Sequence, residues 1–86
     1  MSVIQDYLDA CELNETQHIP IPIDLIRSAY LERDLEYNTS LQSSYNKITH
    51  MLNQSQRTRL QNAIQANDRQ AFYQGLNYEQ LLYLGW

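Results

Sequence analysis

Five consecutive residues, Ile19-Pro20-Ile21-Pro22-Ile23, constrain this 86-residue chain more than any others. Each proline lacks the N–H that a helix interior needs and pushes the residue before it out of the α region. The segment therefore separates a short N-terminal helix from a longer helical remainder, and it predicts an extended, polyproline-like strut between them. In a strand-like conformation the three isoleucines share one side. There they either seal the core or form an exposed apolar rib for a partner.

On both sides of the strut, apolar residues recur at helical spacing. Ser2 with Gln5 three residues later marks a helix start, and Ile4, Tyr7, Leu8 and Cys11 then share a face. Asp6, Asp9 and Glu12 fall outside it, and a stop is expected near Leu13-Asn14. Asp24 is the expected cap of the next helix, which opens densely with Leu25, Ile26, Ala29, Tyr30 and Leu31. From Tyr30 the stripe continues in phase through Tyr37, Leu41, Tyr45, Ile48 and Leu52, predicting one long helix from Asp24 to about Met51. The alternative is that Asn38-Thr39-Ser40 ends one helix and caps another.

Shorter helices should follow. Asn53-Gln54-Ser55 reads as a turn and cap, with Leu60, Ala63 and Ile64 inward; Asn67-Asp68 opens a helix through Ala71, Phe72 and Tyr73, which Gly75 stops. Asn77 with Gln80 makes a capping box for the last helix, faced by Leu81, Leu82 and Leu84, and Trp86 is expected to be buried. Strand-like alternation is absent and no internal repeat is evident. The expected fold is an all-α single domain over residues 1–86, a small bundle of four to five helices with an extended Ile-Pro segment after the first.

Charge is where composition matters. The net charge of −4 is unevenly spread: residues 1–37 hold Asp6, Asp9, Glu12, Glu15, Asp24, Glu32, Asp34 and Glu36 against Arg27 and Arg33, a balance of −6. Residues 38–86 hold Lys47, Arg57, Arg59 and Arg69 against Asp68 and Glu79, a balance of +2. Such polarity favours contact with something basic through the first half. No apolar run approaches the roughly 18 residues of a membrane span, so no membrane association is expected. The acidic N-terminus does not resemble a secretory signal, and the lone Cys11 fits a reducing compartment, so a cytoplasmic location is expected. The glycosylation sequons at Asn14, Asn38 and Asn53 then read as chance matches.

The sequence holds no reactive constellation. Nucleophilic catalysis needs an activated Ser, Cys or Thr with a base and an orienting group, but the only histidines are His18 and His50, and nothing local activates Cys11. One cysteine and two scattered histidines do not make a zinc site, and no Asp-rich loop with a turn glycine exists for calcium. Neither glycine lies in a phosphate-cradling loop. The chain is therefore expected to be non-enzymatic, without metal or cofactor. Lys47, His50, Arg57, Arg59 and Arg69 could line a helix-turn-helix, with Gln56, Gln61 and Asn62 reading base edges. A pI of about 4.9 argues against nucleic acid, whose phosphates demand many cations.

Tyrosine is the unusual component, with seven against one phenylalanine and one tryptophan. Such rings suit half-buried seams and interfaces alike. Tyr30, Tyr37 and Tyr45 mark one stripe beside Glu32, Asp34 and Glu36, and these six are the candidate binding residues. The leading expectation is a small acidic protein-binding module for a protein partner with a basic surface. One version is an inhibitor, of the kind phages and mobile elements encode, covering the basic surface of a nucleic-acid-binding machine. A second expectation is a homodimer or higher homo-oligomer holding a planar or anionic ligand between subunits, and a third is a helix-turn-helix DNA binder.

Overall fold

The computed structural model describes residues 2–85, and their regular structure is entirely helical. Six α-helices follow one another: α1 Val3–Gln17, α2 Ile23–Tyr37, α3 Leu41–Ile48, α4 Gln54–Gln65, α5 Arg69–Gln74 and α6 Tyr78–Leu84. A 3-10 turn, Thr49–Met51, extends α3. The number exceeds the four to five expected because the long tyrosine-striped helix is two helices. The expected burial of Trp86 lies outside the described residues.

Local cap chemistry makes the break. Asn38 adopts the left-handed conformation at φ 52° and ψ 47°, and its N–H closes onto the Asp34 carbonyl at 2.7 Å. Asparagine is one of the few residues that enter this region readily, so it ends α2 as a glycine would. Two residues on, the Ser40 hydroxyl accepts the Ser43 N–H at 3.2 Å and starts α3. The stripe keeps its phase across this joint, but Tyr37 is exposed while Leu41, Tyr45, Ile48 and Leu52 are buried.

The helix starts and stops around the prolines also differ from expectation. α1 runs on to Gln17, three residues past the expected stop, because its last turn is polar and solvent-facing and leaves no apolar signal. His18, left-handed at φ 56°, closes it with an N–H bond to the Asn14 carbonyl at 3.1 Å. α2 starts at Ile23 with Pro22 as its N-cap, and the Pro22 carbonyl accepts from the Leu25 and Ile26 N–H groups at 3.1 and 3.2 Å. Proline's fixed φ suits this entry, and its missing N–H would have no partner there anyway. Asp24 is thus a first-turn residue, where a carboxylate favours the positive end of the helix. Residues 18–22 lie outside the helices; Ile19 is exposed, Ile21 is buried and Ile23 is inside α2, so the three isoleucines form no common rib.

The chain divides into two compact units, residues 1–38 and residues 39–86. In the first, α1 packs on α2 around Tyr7, Ile26, Ala29 and Tyr30. The Tyr7 and Tyr30 rings meet edge to face, with centroids 6.0 Å apart. In the second, α4 packs on α5 and α3 on α6 around a core that includes Ile48, Leu52, Leu60, Phe72, Leu76 and Leu81. Gly75 stops α5 as expected, but at φ −77°, so turn geometry does not require glycine there. Proximity favours it instead: a Cβ at this position would stand 2.9 Å from the Leu60 Cδ2 atom, which would have to shift.

Candidate functional site

Helical spacing sorts α2 into two faces. Ile26, Ala29, Tyr30 and Asp34 point inward and are buried, whereas Asp24, Ser28, Glu32, Leu35 and Glu36 are exposed. Six residues were expected to form one binding surface, and the structure separates them. Glu32, Glu36 and Tyr37 lie exposed at the C-terminal end of α2. Tyr30, Asp34 and Tyr45 are buried and present no surface.

The buried members have structural partners. Asp34, 1% exposed, accepts on Oδ1 from Arg33 Nε at 3.3 Å and Nη2 at 3.2 Å. The same guanidinium lies 4.6 Å from the centroid of the Tyr30 ring. Burial pushes the Tyr7 hydroxyl well above the ordinary phenol range, with Tyr30 and a hydrogen bond to Cys11 adding to the effect. Burial likewise raises Tyr30, opposed by the hydrogen bond from Tyr7 and the charge of Arg33. Tyr45 belongs to the other unit, where its hydroxyl accepts from Gln61 Nε2 at 3.2 Å.

The exposed members gain one neighbour that sequence reasoning overlooked. Leu35 is 77% exposed and Tyr37 69%, the two most exposed large apolar side chains among the described residues. The signal for Leu35 was its phase. It falls outside the inward positions set by Ile26, Tyr30 and Asp34, and a leucine out of phase has no core to enter.

Electrostatics concentrates at the same place. Both arginines of the first unit are engaged, Arg27 with Asp24 at 3.6 Å and Arg33 with Asp34 at 3.2 Å. Asp6, Asp9, Glu12, Glu15, Glu32 and Glu36 are exposed and make no ion pair among the described residues, so they account for the unit's −6. The last turn of α2 has no basic residue, so Glu32 and Glu36 add to the negative end of the helix dipole rather than being offset.

Other chemistries find less. No group of three or more His, Cys, Asp or Glu among the described residues could hold a metal ion. Cys11 is a free, half-buried thiol. His50 meets Tyr83 ring to ring at 5.0 Å, and neither His50 nor His18 hydrogen-bonds a Ser, Thr or Cys side chain among the described residues.

The cations of the second unit are largely tied to backbone. Lys47 Nζ donates to the Leu84 carbonyl at 3.4 Å, Arg57 Nη2 to Thr49 at 3.3 Å and Arg69 Nη1 to Thr39 at 2.7 Å. That leaves Arg59 as the one Lys or Arg in this unit, among the described residues, with no such bond. An open depression of about 380 Å³ is lined by Gln42, Gln61, Asn62, Ile64 and Gln65. It offers neither charge for an anion nor an aromatic face for a planar ring. No helix among the described residues is long and apolar enough to cross a membrane. No family model matches the chain, and no curated protein or solved structure shows significant similarity to it.

Proposed function

We propose that this chain is a non-enzymatic protein-binding module that docks onto a basic protein surface through the exposed end of α2. Glu32, Leu35, Glu36 and Tyr37 would be its contact residues. One observation carries the reading: the two most exposed large apolar side chains sit among unpaired carboxylates at a helix end whose last turn holds no basic residue. Burying Leu35 against a partner would contribute about 1.5–3 kcal/mol. The carboxylates would steer the encounter and select lysine- or arginine-rimmed surfaces. Two copies meeting through this face would bring like charges together, which favours a different protein over a second copy. An inhibitor covering a nucleic-acid-binding surface is one form such a module takes.

Capture from host lysate tests the reading, with the wild-type chain compared against Leu35→Ala and against Glu32→Gln with Glu36→Gln. Basic proteins should be enriched by the wild type, released by raised salt, and lost with both variants. Capture that is indifferent to salt and to both variants would sink it.

A further inference from the structure

Residues 24 apart in the second unit occupy equivalent places. Ile48 pairs with Phe72, Leu52 with Leu76 and Leu60 with Leu84, and all six side chains are buried. Asn53 pairs with Asn77 and Gln56 with Gln80, so Leu-Asn-x-x-Gln-x-x-x-Leu occurs twice. Each asparagine is an N-cap: Asn53 Oδ1 accepts the Gln56 N–H at 2.8 Å, and Asn77 Oδ1 accepts the Gln80 N–H at 2.9 Å. Each glutamine returns the bond, Gln56 Oε1 accepting from the Asn53 N–H at 3.3 Å and Gln80 Oε1 from the Asn77 N–H at 3.0 Å.

A capping box of this kind uses only the oxygen of the glutamine amide. Here the nitrogens cross between the boxes. Gln56 Nε2 donates to Gln80 Oε1 at 2.8 Å and to the Gly75 carbonyl at 3.2 Å. Gln80 Nε2 donates to Gln56 Oε1 at 3.2 Å and to the Met51 carbonyl at 3.0 Å. Met51 and Gly75 are themselves 24 residues apart, so exchanging each residue with its counterpart maps every one of these bonds onto another. The helices obey the same exchange, because α3 packs on α6 and α5 on α4. Each hairpin thus lays its first helix on the second helix of the other.

We infer that residues 39–86 are two copies of one helix–loop–helix hairpin, held in register by a glutamine lock at Gln56 and Gln80. Both amides make all four of their hydrogen bonds, two donated and two accepted, so the buried Gln80 and half-buried Gln56 leave nothing unsatisfied. Apolar side chains tolerate sliding and repacking, whereas this exchange is satisfied in a single register. Only a side chain that donates and accepts can fill either position, and a neutral one makes the lock independent of salt. The inference rests on the second unit alone and stands or falls apart from the proposed function.

Three variants in the full chain test it, Gln56→Met, Gln80→Met and the pair together. Each single change removes one capping glutamine and leaves the other amide one donor and one acceptor short, so each should lower the urea midpoint and speed exchange of the α4 and α6 amides about tenfold or more. The double variant should cost clearly less than the sum of the two singles, because the two bonds between the amides are lost only once. Gln80→Glu adds a readout that packing alone would not move. One oxygen would keep the Asn77 N–H and Gln56 Nε2 donors, but the other would face the Met51 carbonyl and Gln56 Oε1 with no proton to give, and at this buried position that repulsion raises its folded pKa above the ordinary value of about 4.3. Its urea midpoint should therefore approach wild type in acid and fall away as pH rises through that value. If the double methionine variant does not fold, the acid recovery of Gln80→Glu still decides. Additive methionine effects, or a Gln80→Glu deficit that does not change with pH, would overturn the inference.

Discussion

Four side chains in the first unit bear more of its energetics than their polarity would suggest. Asp34 is buried with the Arg33 guanidinium as partner, and that guanidinium covers the Tyr30 ring, which Tyr7 meets edge-on. Breaking a buried pair by removing one member is far costlier than the pair's net contribution, because a charge is left behind. Asp34→Ala should therefore destabilise the chain by about 3 kcal/mol or more in urea denaturation, while Leu35→Ala, a change at an exposed site, should stay within about 0.5 kcal/mol. The tyrosines set an alkaline limit. Both hydroxyls titrate higher in the folded state than in the unfolded chain, so their contribution is intact below the ordinary phenol value of about 10 and lost as pH rises beyond it. The urea midpoint should fall steeply above that pH, and Tyr7→Phe should flatten the fall. At this scale the acids and tyrosines were visible in the sequence but their exposure was not. Tyr30 and Asp34 read as surface beside Glu32 and Glu36 because charge and ring chemistry do not say which side of a helix a residue occupies; the phase set by Ile26 does.

Among the elements, the residues that begin and end helices decided more than the apolar stripe. Asn67-Asp68 and the Asn77…Gln80 box announced α5 and α6, and Asp68 and Asn77 do cap them through their side chains. A continuous stripe from Tyr30 to Leu52 argued for one long helix, yet Asn38 and Ser40 outweigh it. Periodicity records which side is apolar and survives a break that preserves phase, whereas a left-handed residue stops the hydrogen-bond ladder outright. Asn38→Gly should accordingly be neutral or slightly stabilising in thermal unfolding. Asn38→Ala should cost about 1 kcal/mol, since its Cβ opposes the left-handed conformation. The missed repeat has a related cause. Its halves share cap and core positions but differ elsewhere, and α5 with 6 residues is shorter than α3 with 8, so similarity along the sequence is thin where correspondence in space is close.

For the molecule as a whole, the division of charge read from the sequence coincides with the division of the fold. The −6 and +2 portions part at residues 37 and 38, and the compact units part at 38 and 39. The joint is Asn38-Thr39-Ser40, outside any helix and with Asn38 and Ser40 exposed. Limited proteolysis should cut there before it cuts within α2 or α3, releasing fragments that bind ion exchangers of opposite sign at neutral pH. First cleavage inside either helix would show that the joint is not the weakest point.

The glutamine lock also bears on how molecules of this chain meet while refolding. A surface that fits its own copy does not distinguish the hairpin on its own chain from the same hairpin on a neighbour; only tethering does. The tether is the short Ala66-Asn67-Asp68 turn, with Asn67 left-handed at φ 53°. Dilution favours pairing within the chain, and crowding during refolding favours hairpins traded between chains, an exchange that preserves every bond of the lock and strains only the turn.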